Sequence, residues 1–343
     1  MMRVSKRWTV FGVTAAVLVG AAACSEPPPP PPPAAPTVAS PEARAQFYQG
    51  CWAHYNNKAW DQFQNCYAET AVSEAVDSTT PADNGRAAIV EHDKALAESF
   101  PDRRGEPRLI LINGERIATI ALYTATNTGP MPGPDGKPMP ATGKSVGLLI
   151  GHTLEMDATG SVAVRDASYL DEGTMMAQLG LNPAPAPPAE KATGAPPTVV
   201  LATNDATETA NLAEARKIFD AVNAHDVAAL TAATPDNYKA FEPSSPTPKD
   251  KKASLQGMQE MFGAFPDVRI TPTRMWAAGD YVAIEGTFEG TNTGPMPSMG
   301  MKKGTGNKVS VRFLEFMKFE NGQCTEDWLF YNGAAWAAQL GLK

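Results

Sequence analysis

A seven-residue phrase, Thr-Asn-Thr-Gly-Pro-Met-Pro, occurs twice in the 343-residue chain, at residues 126–132 and again 165 positions later at residues 291–297. Phe-Pro-Asp at residues 100–102 recurs with the same offset, and Gln-Leu-Gly-Leu at residues 178–181 recurs close to the end of the sequence. Three phrases repeated in the same order indicate a tandem duplication. Because the period is far longer than that of a solenoid, each copy is predicted to fold as a complete domain.

Each copy has helical apolar spacing in its first half and strand patterns in its second half. Helices are predicted over residues 41–56, 58–66 and 85–99 and, in the second copy, 210–223, 226–233 and 251–264. Strands are predicted over residues 108–113, 116–126, 144–156 and 162–169 and, in the second copy, 269–277, 280–290, 308–319 and 323–331. Helices followed by strands favour an α+β fold over a parallel α/β sheet.

The N-terminus has the features of an export signal. Arg3, Lys6 and Arg7 precede an apolar stretch that ends in three alanines before Cys24, which resembles a bacterial lipobox. Residues 1–23 are therefore predicted to be a lipoprotein signal peptide, and Cys24 to anchor the chain in the cell envelope on the periplasmic face. The outer membrane is favoured over the inner one. The alternative is a plain secretory signal, with Cys24 incidental.

Two proline-rich stretches divide the rest of the chain. Seven consecutive prolines predict a stiff polyproline II stalk within residues 24–41, and prolines recur through a linker at residues 182–207. The two domains are thereby placed at residues 42–181 and 208–343. A formal net charge of −8 without a basic cluster argues against nucleic acid as a partner.

The repeated phrases resemble those of the SnoaL-like domain, a branch of the nuclear-transport-factor-2-like superfamily. Its recognisable phrases are a helix ending in Phe-Pro-Asp, a strand running into Gly-Thr-His-Thr-Gly, and Gln-Leu-Gly near the end, found here at residues 100–102, 125–129 and 178–180 and again in the second copy. The resemblance implies two cone-shaped domains, each with three helices on a strongly curved mixed sheet around an apolar pocket. Because members of the superfamily often dimerise through their sheets, it also implies that the two domains pair as a pseudo-dimer.

Both copies depart from the family at positions that matter for catalysis. The family histidine of Thr-His-Thr-Gly is Asn127 in the first copy and Asn292 in the second. At the position of the catalytic aspartate of the polyketide cyclases, the first copy has Ser168 and the second copy has Leu329. The resemblance therefore predicts the fold much better than it predicts an activity.

The first domain keeps candidates for acid–base chemistry. Asp171 is retained from the aspartate pair of the cyclases, whereas the second domain has Asn332. His152 matches an assisting histidine of those enzymes, and its counterpart is close to Glu315. His152 is on the strand next to that of Asp166, so Asp166 is predicted to replace the missing acid with His152 as its partner. In the alternative, Asp166 is an exposed acid at a strand end and His152 is a hydrogen-bonded packing residue.

Further strand residues are candidates for pocket lining. Glu285 lies mid-strand and is predicted to project into the second pocket, unless it lies on the outer face of the sheet. The other candidates are aromatic or polar residues of the strands and strand ends: Tyr123, Tyr169, Phe288, Glu315, Trp328 and Asn332.

Cysteine usage differs between the copies. Cys51 and Cys66 fall on either side of the turn between the first two helices, whereas their counterparts in the second copy are near Ile218 and Ala233. In an oxidising compartment this favours a disulfide, the alternative being two small buried apolar residues. Cys324 is left unpaired.

Three functions remain open from the sequence. The first is a lipoprotein that binds a small apolar molecule, such as a polyketide, lipid or ester. The second is a cyclase- or hydrolase-type enzyme in the first domain, with no cofactor and no metal, because the four histidines lack ligand spacing. The third is an envelope scaffold with vestigial pockets. A His–carboxylate pair facing a cavity would favour the enzyme.

Overall fold

The computed structural model describes residues 38–133, 137–242, 244–245 and 247–342. The predicted signal peptide, Cys24 and the run of prolines lie outside the described residues. Within the described part of the chain, no helix is both long enough and apolar enough to cross a membrane.

Domain 1 places its helices against one face of a mixed sheet. The helices are α1 (Pro41–Asn56), α2 (Trp60–Phe63, followed by a 3-10 turn at Gln64–Cys66), α3 (Arg86–Ser99) and α4 (Glu172–Gln178). The strands are β1 (Tyr67–Ala75), β2 (Asp83–Asn84), β3 (Arg104–Asn113), β4 (Arg116–Thr126), β5 (Met131–Pro132), β6 (Pro138–Met139), β7 (Ser145–Met156), β8 (Ala163–Tyr169) and β9 (Thr198–Leu201). The main sheet has the order β2-β1-β8-β7-β4-β3-β9, and β5 pairs with β6 separately.

Domain 2 repeats this arrangement. The helices are α5 (Ala206–Asn223), α6 (Val227–Ala233), α7 (Lys251–Ala264) and α8 (Gly333–Leu340). The strands are β10 (Lys239–Phe241), β11 (Lys249–Asp250), β12 (Arg269–Ala278), β13 (Tyr281–Thr291), β14 (Lys308–Glu320) and β15 (Gln323–Tyr331), in the order β11-β10-β15-β14-β13-β12. The short first strand runs parallel to the last long strand in both domains, and the long strands are antiparallel. The predicted α+β class with two curved mixed sheets is confirmed.

Within each domain, hydrogen bonds join the repeated phrases to each other. Asp102 of the first Phe-Pro-Asp accepts a hydrogen bond from the backbone N–H of Thr126 at 2.6 Å, and Asp267 does the same for Thr291 at 2.7 Å. The amide of Asn127 donates to the carbonyl of Ser99 and accepts from the backbone of Thr142. Asn292 makes the matching pair of bonds in domain 2. An asparagine side chain can donate and accept hydrogen bonds at once, so Asn127 and Asn292 stabilise the conformation of these loops.

The two sheets pack against each other through their outer faces. A cluster of buried apolar side chains joins both domains at this interface, including Leu109, Leu111, Ile120, Trp276, Leu314, Phe316 and Phe330. Gly151 lies at a close approach between the sheets, because a Cβ atom there would lie 2.8 Å from the Leu314 side chain. Both faces of each sheet are therefore covered, the inner face by helices and the outer face by the other domain.

The structure adds elements that the sequence patterns did not predict. The second helix begins at Trp60 instead of residue 58 and ends in a 3-10 turn. Strands β1 and β10 follow the second helix of each domain. The proline-rich linker contains β9, which pairs in parallel with β3 and covers the edge of the sheet in domain 1. Its Val199 and Leu201 pack on the core of domain 1, so this end of the linker is part of the domain.

Candidate functional site

Domain 1 contains a cavity of about 340 Å³ between its helices and the inner face of its sheet. Its walls are mainly aromatic and aliphatic, with aromatic rings from Tyr48, Trp52, Tyr55, Phe63, Tyr67 and Tyr123. Cavities of this size with an apolar lining and few polar groups are typical of small-molecule sites. In the described residues, no group of three or more Asp, Glu, His or Cys side chains is placed to hold a metal ion.

His152 and Asp166 meet on the cavity wall. Strands β7 and β8 are neighbours, and the Nδ1 atom of His152 lies 3.4 Å from Oδ1 of Asp166. The hydroxyl of Tyr67 donates to Oδ2 of Asp166 at 2.8 Å. Burial and the nearby Asp166 raise the pKa of Tyr67 well above its ordinary value, so the hydroxyl stays protonated and remains a donor. The structure thus brings together the two residues that the strand spacing predicted and adds Tyr67.

A second polar cluster lies on another part of the same wall. The guanidinium of Arg103 donates to Asp93 at 2.8 Å and to the Tyr123 hydroxyl at 2.9 Å, and it lies 4.6 Å from the centre of the Tyr55 ring. The hydroxyls of Tyr55 and Tyr123 are also hydrogen-bonded to each other. Burial raises the pKa of Asp93, and the charge of Arg103 opposes that rise. Tyr123, a predicted lining residue, lies on this wall of the cavity.

Sequence reasoning missed Arg103, although a signal was present. Arg103 directly follows the repeated Phe-Pro-Asp phrase, and the matching residue of the second copy is Val268. Arg103 is 4% exposed and Val268 is 5% exposed. A buried arginine in one copy, where the other copy has a valine, marks a polar site that the fold itself does not require.

Asp171 lies outside the cavity lining, which corrects its predicted catalytic role. Its side chain caps the first turn of α4 by accepting hydrogen bonds from the backbone of Gly173 at 3.1 Å and from the Thr174 hydroxyl at 2.6 Å. It also accepts from the backbone of Gly333 in domain 2. With these donors around it, Asp171 acts as a helix cap and a contact between domains.

Glu285 is on the outer face of its sheet and not in the second pocket. It faces domain 1, where it accepts hydrogen bonds from Tyr169 at 2.8 Å, Thr153 at 3.0 Å and Arg165 at 3.1 Å. Arg274 of domain 2 pairs with its other oxygen at 3.2 Å. Burial opposes its ionisation, but Arg165 and the other partners hold the pKa of Glu285 below its ordinary value. Tyr169, also predicted in a pocket, belongs to this charged part of the interface.

The remaining pocket candidates in domain 2 have packing roles. Trp328 lies on the outer face and stacks on Phe241 with ring centres 4.9 Å apart. Phe288 faces inward but packs against Trp336, with ring centres 4.7 Å apart. Asn332 caps α8 through the backbone of Ala334. The sequence pattern does not distinguish the inner face of this sheet from its outer face, because both faces are buried.

Glu315 and Asp327 occupy the strand positions in domain 2 that match His152 and Asp166. Both face the interior of domain 2, and the Tyr238 hydroxyl donates to Asp327 at 3.0 Å. The second oxygen of Asp327 is buried without an N–H or O–H donor, apart from the neighbouring carboxyl of Glu315. Burial and the charge of Asp327 raise the pKa of Glu315 well above its ordinary value, so a protonated Glu315 supplies the missing donor.

Side chains of domain 2 contact part of the rim of the cavity in domain 1. Residues 73–75, 78, 80 and 81 line one side of the cavity, and Asp77 lies among them. Arg312 of domain 2 donates to Asp77 at 2.9 Å and to Glu74 at 3.0 Å, and Asn332 donates to the carbonyl of Asp77 at 3.3 Å. The position of this rim therefore depends on contacts from the other domain.

The structure joins Cys51 and Cys66 by a disulfide between α1 and the 3-10 turn after α2. Cys51 also lines the cavity, so the disulfide fixes one of its walls. Cys324 is a buried free thiol in domain 2.

The sequence of the chain matches one known protein family. The search of curated proteins found no match. AclR from Streptomyces galilaeus is 22% identical over 39% of this chain and 97% of its own, with a TM-score of 0.36. IdmH from Streptomyces antibioticus is 22% identical over 38% of this chain and 99% of its own, with a TM-score of 0.34, and TsrD from Streptomyces laurentii is 18% identical over 39% and 97%, with a TM-score of 0.35. The sequence profile of the SnoaL-like polyketide cyclases matches residues 42–179 and again residues 213–340. The chain therefore belongs to the SnoaL-like polyketide cyclase family and carries two of its domains in tandem.

Proposed function

We propose that domain 1 binds a small, mainly apolar molecule in its cavity and transfers a proton on that molecule, while domain 2 supports it. The observation that carries this proposal is the meeting of His152 and Asp166 on the wall of an apolar cavity. A His–carboxylate pair inside a ligand-sized cavity is a typical acid–base arrangement.

The contacts of Asp166 assign roles within the pair. A carboxylate accepts hydrogen bonds and cannot donate, so the Nδ1 atom of His152 that faces Asp166 carries the hydrogen. Tyr67 donates to the other oxygen and fixes the orientation of the carboxylate. The pair would accept a proton from a carbon next to a carbonyl group. As that C–H bond breaks, its electron pair moves towards the carbonyl oxygen, and the proton is later returned to the product.

The test uses 2-tetralone, a flat apolar ketone with exchangeable C–H bonds, in D2O. The full chain should accelerate incorporation of deuterium, measured by NMR. His152→Gln and Asp166→Asn should slow the catalysed exchange by roughly 100-fold or more. Asp327→Asn, at the matching position of domain 2, is the control and should leave the rate unchanged. If Asp166→Asn exchanges as fast as the wild type, the acid–base role is wrong.

Binding without chemistry is the second candidate function. The size and aromatic lining of the cavity support it without reference to His152. A wild-type chain that binds 2-tetralone, measured by calorimetry, but does not catalyse exchange would establish this reading.

We also propose that the chain is a lipoprotein anchored through Cys24 on the periplasmic face of the cell envelope, at the outer membrane. The basic residues, apolar stretch and small residues before Cys24 support this location. Growth with an alkyne-tagged palmitate should label the wild type and leave Cys24→Ala unlabelled and released from the membrane fraction. Labelled Cys24→Ala would exclude Cys24 as the lipid site.

A further inference from the structure

Four buried polar atoms without a hydrogen-bond partner occur close together in domain 1. They are Oη of Tyr48, Nε1 of Trp52, Oγ1 of Thr119 and Nε2 of His152. Tyr48 is 3% exposed and Thr119 is not exposed at all. Most buried polar atoms in folded proteins are paired, so a group of unpaired ones requires an explanation. We call these four residues the polar recess.

The four residues are neighbours, and three of them line the cavity. Thr119 and His152 lie opposite each other on the paired strands β4 and β7. The rings of Trp52 and His152 are 5.5 Å apart between centres, and those of Tyr48 and Trp52 are 6.2 Å apart. Tyr48, Trp52 and His152 line the cavity. Thr119 and Trp52 are close enough to the Tyr48 hydroxyl to oppose, as weak donors, the rise that burial causes in its pKa, but neither contact has the geometry of a hydrogen bond.

The recess combines donors with one acceptor. The hydroxyls of Tyr48 and Thr119 and the indole N–H of Trp52 can donate. His152 directs its Nδ1 hydrogen to Asp166, which leaves Nε2 as an acceptor. This set is complementary to a single oxygen atom: a carbonyl oxygen accepts from the donors, and a hydroxyl can also donate to Nε2.

Domain 2 shows that the fold does not need these polar groups. Asn56 and Asn223 make the same pair of hydrogen bonds, to β3 and to β12 respectively, which fixes the alignment of α1 with α5. The counterparts of the recess, in chain order, are Ala215, Phe219, Ile284 and Glu315.

Three of the four positions are therefore apolar in the copy whose interior is packed by side chains. Ala215 and Ile284 are fully buried there, and Phe219 stacks on Phe313. Polar groups at these positions are thus specific to the domain that has the described cavity. A requirement of the fold would have kept them in both copies.

We infer that the polar recess binds an oxygen atom of the ligand, so that the ligand is a mainly apolar molecule with a carbonyl or hydroxyl group. This inference rests on the proposed binding function of the cavity. His152 belongs both to the recess and to the pair with Asp166, so an oxygen held there lies next to the group that transfers the proton. The recess thereby determines which carbon of the ligand meets that pair.

The test compares two probes of the same shape, 2-naphthol and 2-methylnaphthalene, binding to the full chain by calorimetry. The wild type should bind 2-naphthol roughly tenfold or more tightly, because the methyl group leaves the recess unpaired. The double variant Tyr48→Phe/Thr119→Val should reduce this preference to about one. Tyr238→Phe, which removes the tyrosine hydroxyl from the carboxyl pair of domain 2, is the matched control and should keep the preference.

The possible outcomes distinguish a failure of this inference from a failure of the proposed function on which it rests. If the double variant keeps the full preference, or if a crystal structure with 2-naphthol shows a water molecule filling the recess, the inference is wrong and the cavity still binds. If the wild type binds neither probe, the proposed function itself fails. Should the double variant not fold, as judged by circular dichroism, Tyr48→Phe alone should still reduce the preference by at least about threefold.

Discussion

The two domains share one fold, but their interiors differ at the same pair of strand positions. Domain 1 has His152 and Asp166 beside a cavity, whereas domain 2 has Glu315 and Asp327 on strands whose neighbouring inward side chains belong to an apolar core cluster. A tyrosine hydroxyl donates to the aspartate in both domains. The aspartate is therefore compatible with either interior, and the cavity with its polar recess distinguishes domain 1 from domain 2.

The side chains that fill domain 2 explain this difference. On the sheet side, Phe313 stands where domain 1 has Ile150, and on the last helix Trp336 stands where domain 1 has Met175. Larger side chains on the sheet and the last helix occupy space that domain 1 leaves to its cavity.

The largest expected effect concerns the interface, where Glu285 has Ile120 as its counterpart in domain 1. Glu285→Ala leaves Arg165 and Arg274 with Glu155 as their one shared carboxylate and leaves the buried Tyr169 hydroxyl without its acceptor, so the free energy of unfolding should fall by about 3–5 kcal/mol in urea titrations. Glu289→Ala, at an exposed position of the same strand, is the control. A loss below about 1 kcal/mol would show that the charged part of the interface does not hold the domains together.

The next effect concerns the disulfide of domain 1. Replacing Cys51 and Cys66 by alanine should destabilise domain 1 by about 3 kcal/mol, because the disulfide closes a 15-residue loop. Domain 2 should be unaffected, since it has Ile218 and Ala233 at the matching positions. Hydrogen exchange followed by mass spectrometry reports each domain separately. Equal loss of protection in both domains would mean that they unfold as one unit.

A third effect depends on pH and belongs to domain 2. Burial raises the pKa of Asp327 to about 6, so the folded state binds a proton more tightly than the unfolded state. The stabilisation that protonated Asp327 gives the folded state is complete at low pH and is lost as the pH rises through 6. Between pH 4 and 7.5 the loss should be on the order of 2 kcal/mol.

Asp327→Asn should remove this part of the pH dependence in urea titrations of the full chain. The measured quantity is the difference between wild type and variant at each pH, because other groups titrate in both proteins. A difference that stays constant from pH 4 to 7.5 would show that Asp327 has an ordinary pKa.

The smallest effect tests whether domain 2 influences the site in domain 1. Arg312→Ala removes the guanidinium that donates to Asp77 and Glu74 at the rim, and binding of 2-naphthol should weaken by roughly three- to tenfold. Arg274→Ala is a matched control, because both arginine side chains are 41% exposed and lie at the interface, but Arg274 does not contact the rim. Equal affinities in the two variants would mean that the rim does not need Arg312.

The sequence predicted the duplication, the order of the long elements and the pairing of His152 with Asp166, because repeated phrases and period-two spacing carry that information. It did not predict which face Glu285 or Trp328 occupies. Alternation of polar and apolar residues reveals a face only when one side of the sheet meets water, and here both sides are covered. Arg103 was missed because its partner Asp93 comes from a helix, and sequence spacing does not show that contact.

Placing both copies on one chain frees the interface from symmetry. In a dimer of identical subunits, every substitution appears on both sides of the axis, so a glutamate would enter at two places at once. Here Glu285 faces Arg165 in one half, while Ile120 packs with apolar side chains in the other. After duplication, each half could change independently. Under the proposed function, one gene keeps a chemical site in one copy while the other copy becomes its permanent support.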